Sequence, residues 1–277
     1  MEMILLAAAC YTICGLSDKY AVSTAKLTGL QITFLMAAAT AVFMGIMLPF
    51  LDIPFFGFSW QLAIAVVLIA LNKLLEFVLS AKVLTEMSAF ELKAWVGTVV
   101  FISYFADFFM DGKPISVVGL LFIAIMAVGL FLIAKSNKQQ IHYKKIVLPL
   151  IFYIIVRFGY GLTIRYAEPY GSGSQILFFA LILLAIALIP FVSLVKLVRE
   201  KPKGVLVVSL TKLPNAGGLF AENAAVAVSL TGSAMIMPIV LIALFFIGVF
   251  RKEYCTKLNL IGAIISIVGI VGFQLLK

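Results

Sequence analysis

Along the 277 residues, apolar stretches of about 20 residues follow one another with little polar sequence between them. Ten such runs cover 2–20, 28–50, 57–81, 87–110, 115–134, 145–166, 173–195, 204–229, 232–250 and 257–276. Each is long enough to cross about 30 Å of hydrocarbon as a helix. In that solvent a backbone must satisfy its own N–H and C=O groups, so only helices and closed barrels are open to it. The runs are continuous and do not alternate as barrel strands do, which excludes the barrel. Composition agrees: 64% of the residues are hydrophobic and only 12% charged, against roughly half and a quarter in soluble domains. The prediction is an all-α integral membrane protein, multi-pass in the cell membrane, with short connections and no soluble domain.

The formal net charge of +9 is placed as a topology signal and not as a nucleic-acid surface. When alternate connections are assigned to one side, fifteen cations collect there: Lys19, Lys26, Lys82, Lys93, Lys135, Lys138, Lys144, Lys145, Lys196, Arg199, Lys201, Lys203, Arg251, Lys252 and Lys257. The other side keeps three, Lys113, Arg165 and Lys277. The positive-inside rule puts the richer face in the cytoplasm and both termini outside. The expected partners are therefore the lipid bilayer and, from the polar residues below, a small molecule, with no nucleic acid. No basic segment precedes Cys10, so a cleaved lipoprotein signal is not expected. Cys10 and Cys14 lie one turn apart in an apolar run and Cys255 is remote, a spacing that fits core filling and not a disulfide framework.

The chain also repeats itself. GLSDKYA at 15–21 is echoed by GLTIRYA at 161–167, Gln31-Ile32 by Gln175-Ile176, Asn72 by Asn215, and Ser88-Ala89 by Ser233-Ala234. Gly119 and Gly129 have the same separation as Gly262 and Gly272. These offsets divide the chain into a first unit, 1–137, and a second, 138–277, of five runs each. Five is odd, so the second unit crosses the membrane in the opposite sense. An inverted repeat of this kind is the architecture of many secondary transporters, with substrate near the midplane between the units.

The segment Met237-Pro238-Ile239-Val240, the acidic Glu253 beyond it and IGAIISIVGIVGF at 261–273 resemble the second repeat of the drug/metabolite transporter superfamily in its ten-helix EamA-like branch. VGLLFIAIMAVGLFLIA at 118–134 is similar to the first-repeat counterpart. The resemblance covers essentially the whole chain. It implies ten helices around a central cavity, a transport function and both termini in the cytoplasm, the reverse of what the charge count predicts. The chain departs from the pattern at Lys93, which stands where a proline would match Pro238, and around Asp111-Gly112-Lys113, where an acidic helix end would fall.

Polar residues inside the apolar runs are the candidate site. LTKLPNAGGLFAEN at 210–223 places Lys212, Asn215 and Glu222 at membrane depth. Pro214, with Gly217 and Gly218, is expected to kink or unwind the helix there. Thr211, Asn215, Gly218 and Glu222 share one helical stripe. In the corresponding helix of the first unit, Asn72, Glu76 and Ser80 lie on one face, with Lys73 in reach of Glu76. Tyr153, Arg157 and Tyr160 form a third stripe, and Tyr11 is the repeat counterpart of Arg157. A charge at the bilayer centre costs about 2.5–3.5 kcal/mol on insertion scales, so these side chains are expected to face a polar cavity. The expected substrate-binding set is Asn72, Glu76, Arg157, Tyr160, Asn215, Glu222, Tyr11 and Trp95, with Glu76 or Glu222 carrying a proton if transport is proton-coupled. A structural salt bridge from Arg157 to Glu222 or Glu76 is the competing role. Lys212 is expected to snorkel towards the basic face, Asp107 and Glu86 to lie at the interface, and His142 to be an ordinary loop residue.

No phosphate-cradling loop, zinc-ligand spacing or nucleophile elbow occurs, so no cofactor, metal or enzymatic activity is expected. The predicted function is secondary active transport, as exporter or exchanger, of a small polar or amphipathic metabolite or drug. The mixed charges of the site suit a zwitterion or an amphipathic cation. The alternatives are a flippase subunit for a lipid-linked head group, and a non-transporting scaffold or intramembrane enzyme. The glycine pattern is compatible with a monomer or a homodimer.

Overall fold

A computed structural model of the chain describes residues 1–23, 27–51, 59–84, 86, 89–112, 114–134, 143–250 and 256–276, without side chains at 16–23, 81, 84, 89–91, 134, 143 and 144. Lys26, Lys113, Lys135, Lys138, His142, Arg251, Lys252, Glu253, Cys255 and Lys277, and the side chains of Lys19 and Lys144, thus lie outside what it describes. The described residues are helical, with no strand among them. Eight helical segments are long and apolar enough to cross a membrane. Glu2–Gly15 and Val117–Ile133 are shorter apolar helices. The protein is a multi-pass membrane protein.

In chain order the helices are α1 (Glu2–Ser23), α2 (Gly29–Met47), α3 (Trp60–Leu84), α4 (Ala89–Gly97), α5 (Val99–Asp111), α6 (Val117–Ala134) and α7 (Tyr143–Ala167), followed by α8 (Gly173–Leu188), α9 (Leu194–Glu200), α10 (Pro202–Leu210), α11 (Lys212–Val228), α12 (Leu230–Ala234), α13 (Ile236–Phe250) and α14 (Lys257–Leu276). Several starts are capped by a hydroxyl, among them those of α2 and α8. Thr28 and Gln31 form a reciprocal capping box at α2, and the Ser172 hydroxyl accepts from the Gln175 amide at 3.2 Å at α8. These are the Gln31 and Gln175 of the sequence repeat.

Pro214 breaks its helix one turn earlier than predicted, and the glycines do not. The interruption falls at Thr211, and α11 then runs unbroken through Gly217 and Gly218. The reason is local: Pro214 sits in the first turn of α11, where its missing N–H costs nothing, while its ring opposes continuation past the carbonyl of Leu210. Similar interruptions at Thr98 and Met235 separate α4 from α5 and α12 from α13.

The strongest helix pairings are α6 with α14, α3 with α7, α1 with α11, and α2 with α8. α6 and α14 touch backbone to backbone. A Cβ on Gly129 would lie 2.6 Å from the Gly262 carbonyl oxygen, and one on Gly262 would lie 2.8 Å from the Gly129 carbonyl oxygen. Asn259 of α14 donates to the Ile133 carbonyl at 2.7 Å. The glycines of these two helices therefore serve packing inside the chain. Outward faces, such as Leu71, Leu75 and Val78 on α3, carry exposed aliphatic side chains, as a helix meeting lipid does.

Candidate functional site

The site forms where α1, α3, α7 and α11 converge. α11 approaches α1 closely because Gly218 has no side chain: a Cβ there would stand 2.8 Å from the Tyr11 ring and 3.0 Å from the Cys10 Cβ. One turn further along α11, Glu222 accepts a hydrogen bond from the Tyr11 hydroxyl. The same carboxylate accepts from Arg157 of α7 at 3.2 Å. Arg157 also donates to Glu76 of α3 at 2.8 Å, and Glu76 accepts from Lys73 at 2.9 Å. Lys73 in turn lies 4.0 Å over the Tyr160 ring, and the Tyr160 hydroxyl donates to Asn223 at 2.7 Å. Two cations and two carboxylates thus form one buried chain, Lys73–Glu76–Arg157–Glu222, whose four formal charges sum to zero.

Two cavities meet at this chain. The larger, of about 150 Å³, is lined by Tyr11, Lys73, Glu76, Arg157, Asn215 and Glu222, with Cys14, Thr40 and Lys93, and by apolar side chains such as Met36, Phe77 and Leu219. The smaller, of about 30 Å³, is lined by Ser103, Arg157, Tyr160, Glu222 and Ser233 among apolar neighbours. From Glu222 the larger cavity extends along α11 towards its N-terminus at Lys212, and the smaller towards its C-terminus at Val228. Arg157, Glu222 and Met237 line both and so stand between them.

Beyond the smaller cavity two polar clusters tie the helices together. Asp107, 4% exposed, accepts from the Leu230 and Thr231 amides at 2.9 and 3.0 Å, and from the Ser229 and Thr231 hydroxyls, each at 2.7 Å. One turn along α5, both oxygens of Asp111 accept from Arg165 of α7 at 3.1 Å. Asp107 is therefore not interfacial, as its position near a helix end had implied. Its carboxylate meets the unpaired amides at the start of α12, which draws it inward. Glu86 lies in the turn after α3 and is half-buried.

Of the predicted set, Tyr11, Glu76, Arg157, Asn215 and Glu222 border the larger cavity, and Tyr160 the smaller. Arg157 binds both carboxylates, where the sequence reading offered one or the other. Asn215 also donates to Thr40 at 3.2 Å. Asn72 and Trp95 line neither cavity. Asn72 faces α7, 3.2 Å from where a Gly159 Cβ would be, with its buried Oδ1 unpartnered. Trp95 packs edge-on against Phe131, centroids 4.9 Å apart. Lys212 does not snorkel: it is completely buried.

The sequence reading missed Lys93, Thr40 and Asn223 as site residues. A lysine within an apolar run was a signal for Lys93, whereas nothing marked Thr40 among the other small polar residues. Among the described residues no cluster of His, Cys, Asp or Glu could hold a metal. No family model matches the sequence, and no curated protein matches it.

Proposed function

We propose that the protein is a secondary active transporter with ten membrane-crossing helices in two inverted five-helix units, of the drug/metabolite transporter kind that its last helices resemble. Its cargo is a small polar or amphipathic metabolite, held beside the ion chain. The observation that carries this reading is the placement of Arg157 and Glu222: a costly buried ion pair stands between two cavities on opposite sides of the same point along the helices. A purely structural salt bridge needs good geometry and hydrogen-bond partners, not open space beside it. Here instead stands a cavity of about 150 Å³, comparable to a space that admits benzene.

Its lining combines ionic and apolar side chains, which suits a compact molecule carrying a charged head and an apolar body. A zwitterion or amphipathic cation finds both signs of charge there.

The helix pairings support the inverted repeat. α1 against α11 and α3 against α7 exchange places when the two units are interchanged, while α2–α8 and α6–α14 map onto themselves. A wide cavity on one side, and helices tied by Asp107 and by Arg165–Asp111 around a narrow one on the other, are the asymmetry that an alternating-access cycle requires.

The test is a thermal-shift screen of the purified protein over amino acids, amines, nucleosides and lipid head groups, followed by flux of the hit into proteoliposomes. The expected outcome is one chemical class that raises the melting temperature and crosses the membrane, with flux lost in Glu222→Gln while the fold is kept. A protein that no small molecule stabilises, and whose Glu76→Gln and Glu222→Gln variants do nothing except unfold, is a scaffold.

A further inference from the structure

The two buried carboxylates of the site are not equivalent, and their partners tell them apart. We propose that Glu222, not Glu76, is the group that binds and releases a proton, and that water reaches it through the smaller cavity. The proposal rests on the transport reading for its purpose, not for its chemistry.

The first observation is the partner set. Glu76 is held by Lys73 at 2.9 Å and Arg157 at 2.8 Å, both of which can only donate. A proton on Glu76 would face two cations with no acceptor between them. Glu222 is held by Arg157 at 3.2 Å and by the Tyr11 hydroxyl. A hydroxyl donates to a carboxylate and accepts from a carboxylic acid, so Tyr11 remains a hydrogen-bond partner in both protonation states. When Glu222 takes a proton, Arg157 keeps Glu76 as counter-ion and the Lys73–Glu76–Arg157 chain stays intact.

Access is the second observation. Glu76 borders only the larger cavity, whereas Glu222 borders both. The smaller cavity, about 30 Å³, has room for water, and Ser103, Tyr160 and the half-buried Ser233 supply polar groups to hold it. A hydronium ion there transfers its proton to a Glu222 oxygen and leaves as water, while the larger cavity stays free for cargo. The charged and titratable groups around Glu222 are Arg157, Tyr153 and Tyr160 on α7, Tyr11, Cys10 and Cys14 on α1, Lys73 and Glu76 on α3, Lys93 on α4 and Lys212 on α11 itself. Of the other helices packed against α11, α2, α8 and α12 carry none, and α10 carries only the exposed Lys203.

The experiment is infrared difference spectroscopy of the protein in lipid vesicles, with a pH step and no cargo, following in H₂O and D₂O the high-frequency C=O stretch that marks a carboxyl protonated in a buried site, apart from the lower band of the exposed acids. The wild type is expected to develop this band on acidification. Glu222→Gln is expected to abolish it, Glu76→Gln to retain it, and Tyr11→Phe to shift its midpoint. A band that survives Glu222→Gln, or a midpoint that Tyr11→Phe leaves unmoved, overturns the proposal; the second criterion decides the matter even if Glu76→Gln fails to fold. Because no cargo is present, the band can appear in a protein that transports nothing, and transport can be found in a protein without the band.

Discussion

Gly218 and Tyr11 are in contact across α11 and α1, with no room between them for a methyl group: an added Cβ would stand 2.8 Å from the tyrosine ring. This approach brings the Tyr11 hydroxyl to Glu222, so helix packing and site chemistry are linked through one glycine. Gly218→Ala is expected to push α1 away and lower stability by about 1–3 kcal/mol, the usual cost of overpacking. Gly217→Ala, whose Cβ would meet only the Cys10 sulfur at an ordinary 3.7 Å, is expected to be tolerated. Thermal unfolding of the two variants in detergent checks the contrast.

Arg157 has two carboxylate partners and Lys73 has one in the ion chain. Arg157→Met therefore leaves Glu222 without a cation in that chain, whereas Lys73→Met leaves Glu76 still paired with Arg157. Removing one member of a buried pair costs about 3–5 kcal/mol, so Arg157→Met is expected to fall in that range and Lys73→Met below it. Combining Arg157→Met with Glu222→Gln should recover part of the loss. Denaturant unfolding of the singles and the double as a cycle measures the coupling.

Asp107 satisfies two buried amides and two hydroxyls at once. Asp107→Ala strands them, at about 1–3 kcal/mol for each buried donor left unpaired. Asp107→Asn retains one carbonyl oxygen and is expected to lose less. Hydrogen exchange at the Leu230 and Thr231 amides should accelerate in the order wild type, Asn, Ala.

The Arg165–Asp111 pair is about one-fifth exposed on each side, so its contribution to stability is small, about 1 kcal/mol or less, and weakened by salt. Its expected effect is on access. Arg165→Ala should raise the rate at which a cysteine placed at Ser233 reacts with a membrane-impermeant thiol reagent. The charge-exchanged pair Arg165→Asp with Asp111→Arg should bring that rate back towards the wild type.

The helices and most of the ionic residues were legible from the chain alone because the hydrocarbon solvent makes its demands locally. Twenty apolar residues announce a crossing, and Glu76, Arg157 and Glu222 inside such runs announce expense. Pairing was not legible at that level. Lys73 and Glu76 share a helix, so their contact followed from spacing, but the same spacing logic put Asn72 in the site, and Trp95 was placed there as an aromatic of the fourth run. Tertiary packing turned the first against Gly159 and the second onto Phe131. Asp107 was misjudged because its donors come from α12 and the Ser229 before it, more than a hundred residues away.

From the sequence come solvent, helix content and the identity of the costly side chains, since each depends on a residue and its neighbours along the chain. Which carboxylate Arg157 shares with Lys73, which one Tyr11 reaches, and where space is left between them depend on how closely α1, α3, α7 and α11 approach. That distance is set by glycines and side-chain volumes on facing helices, and no local pattern encodes it.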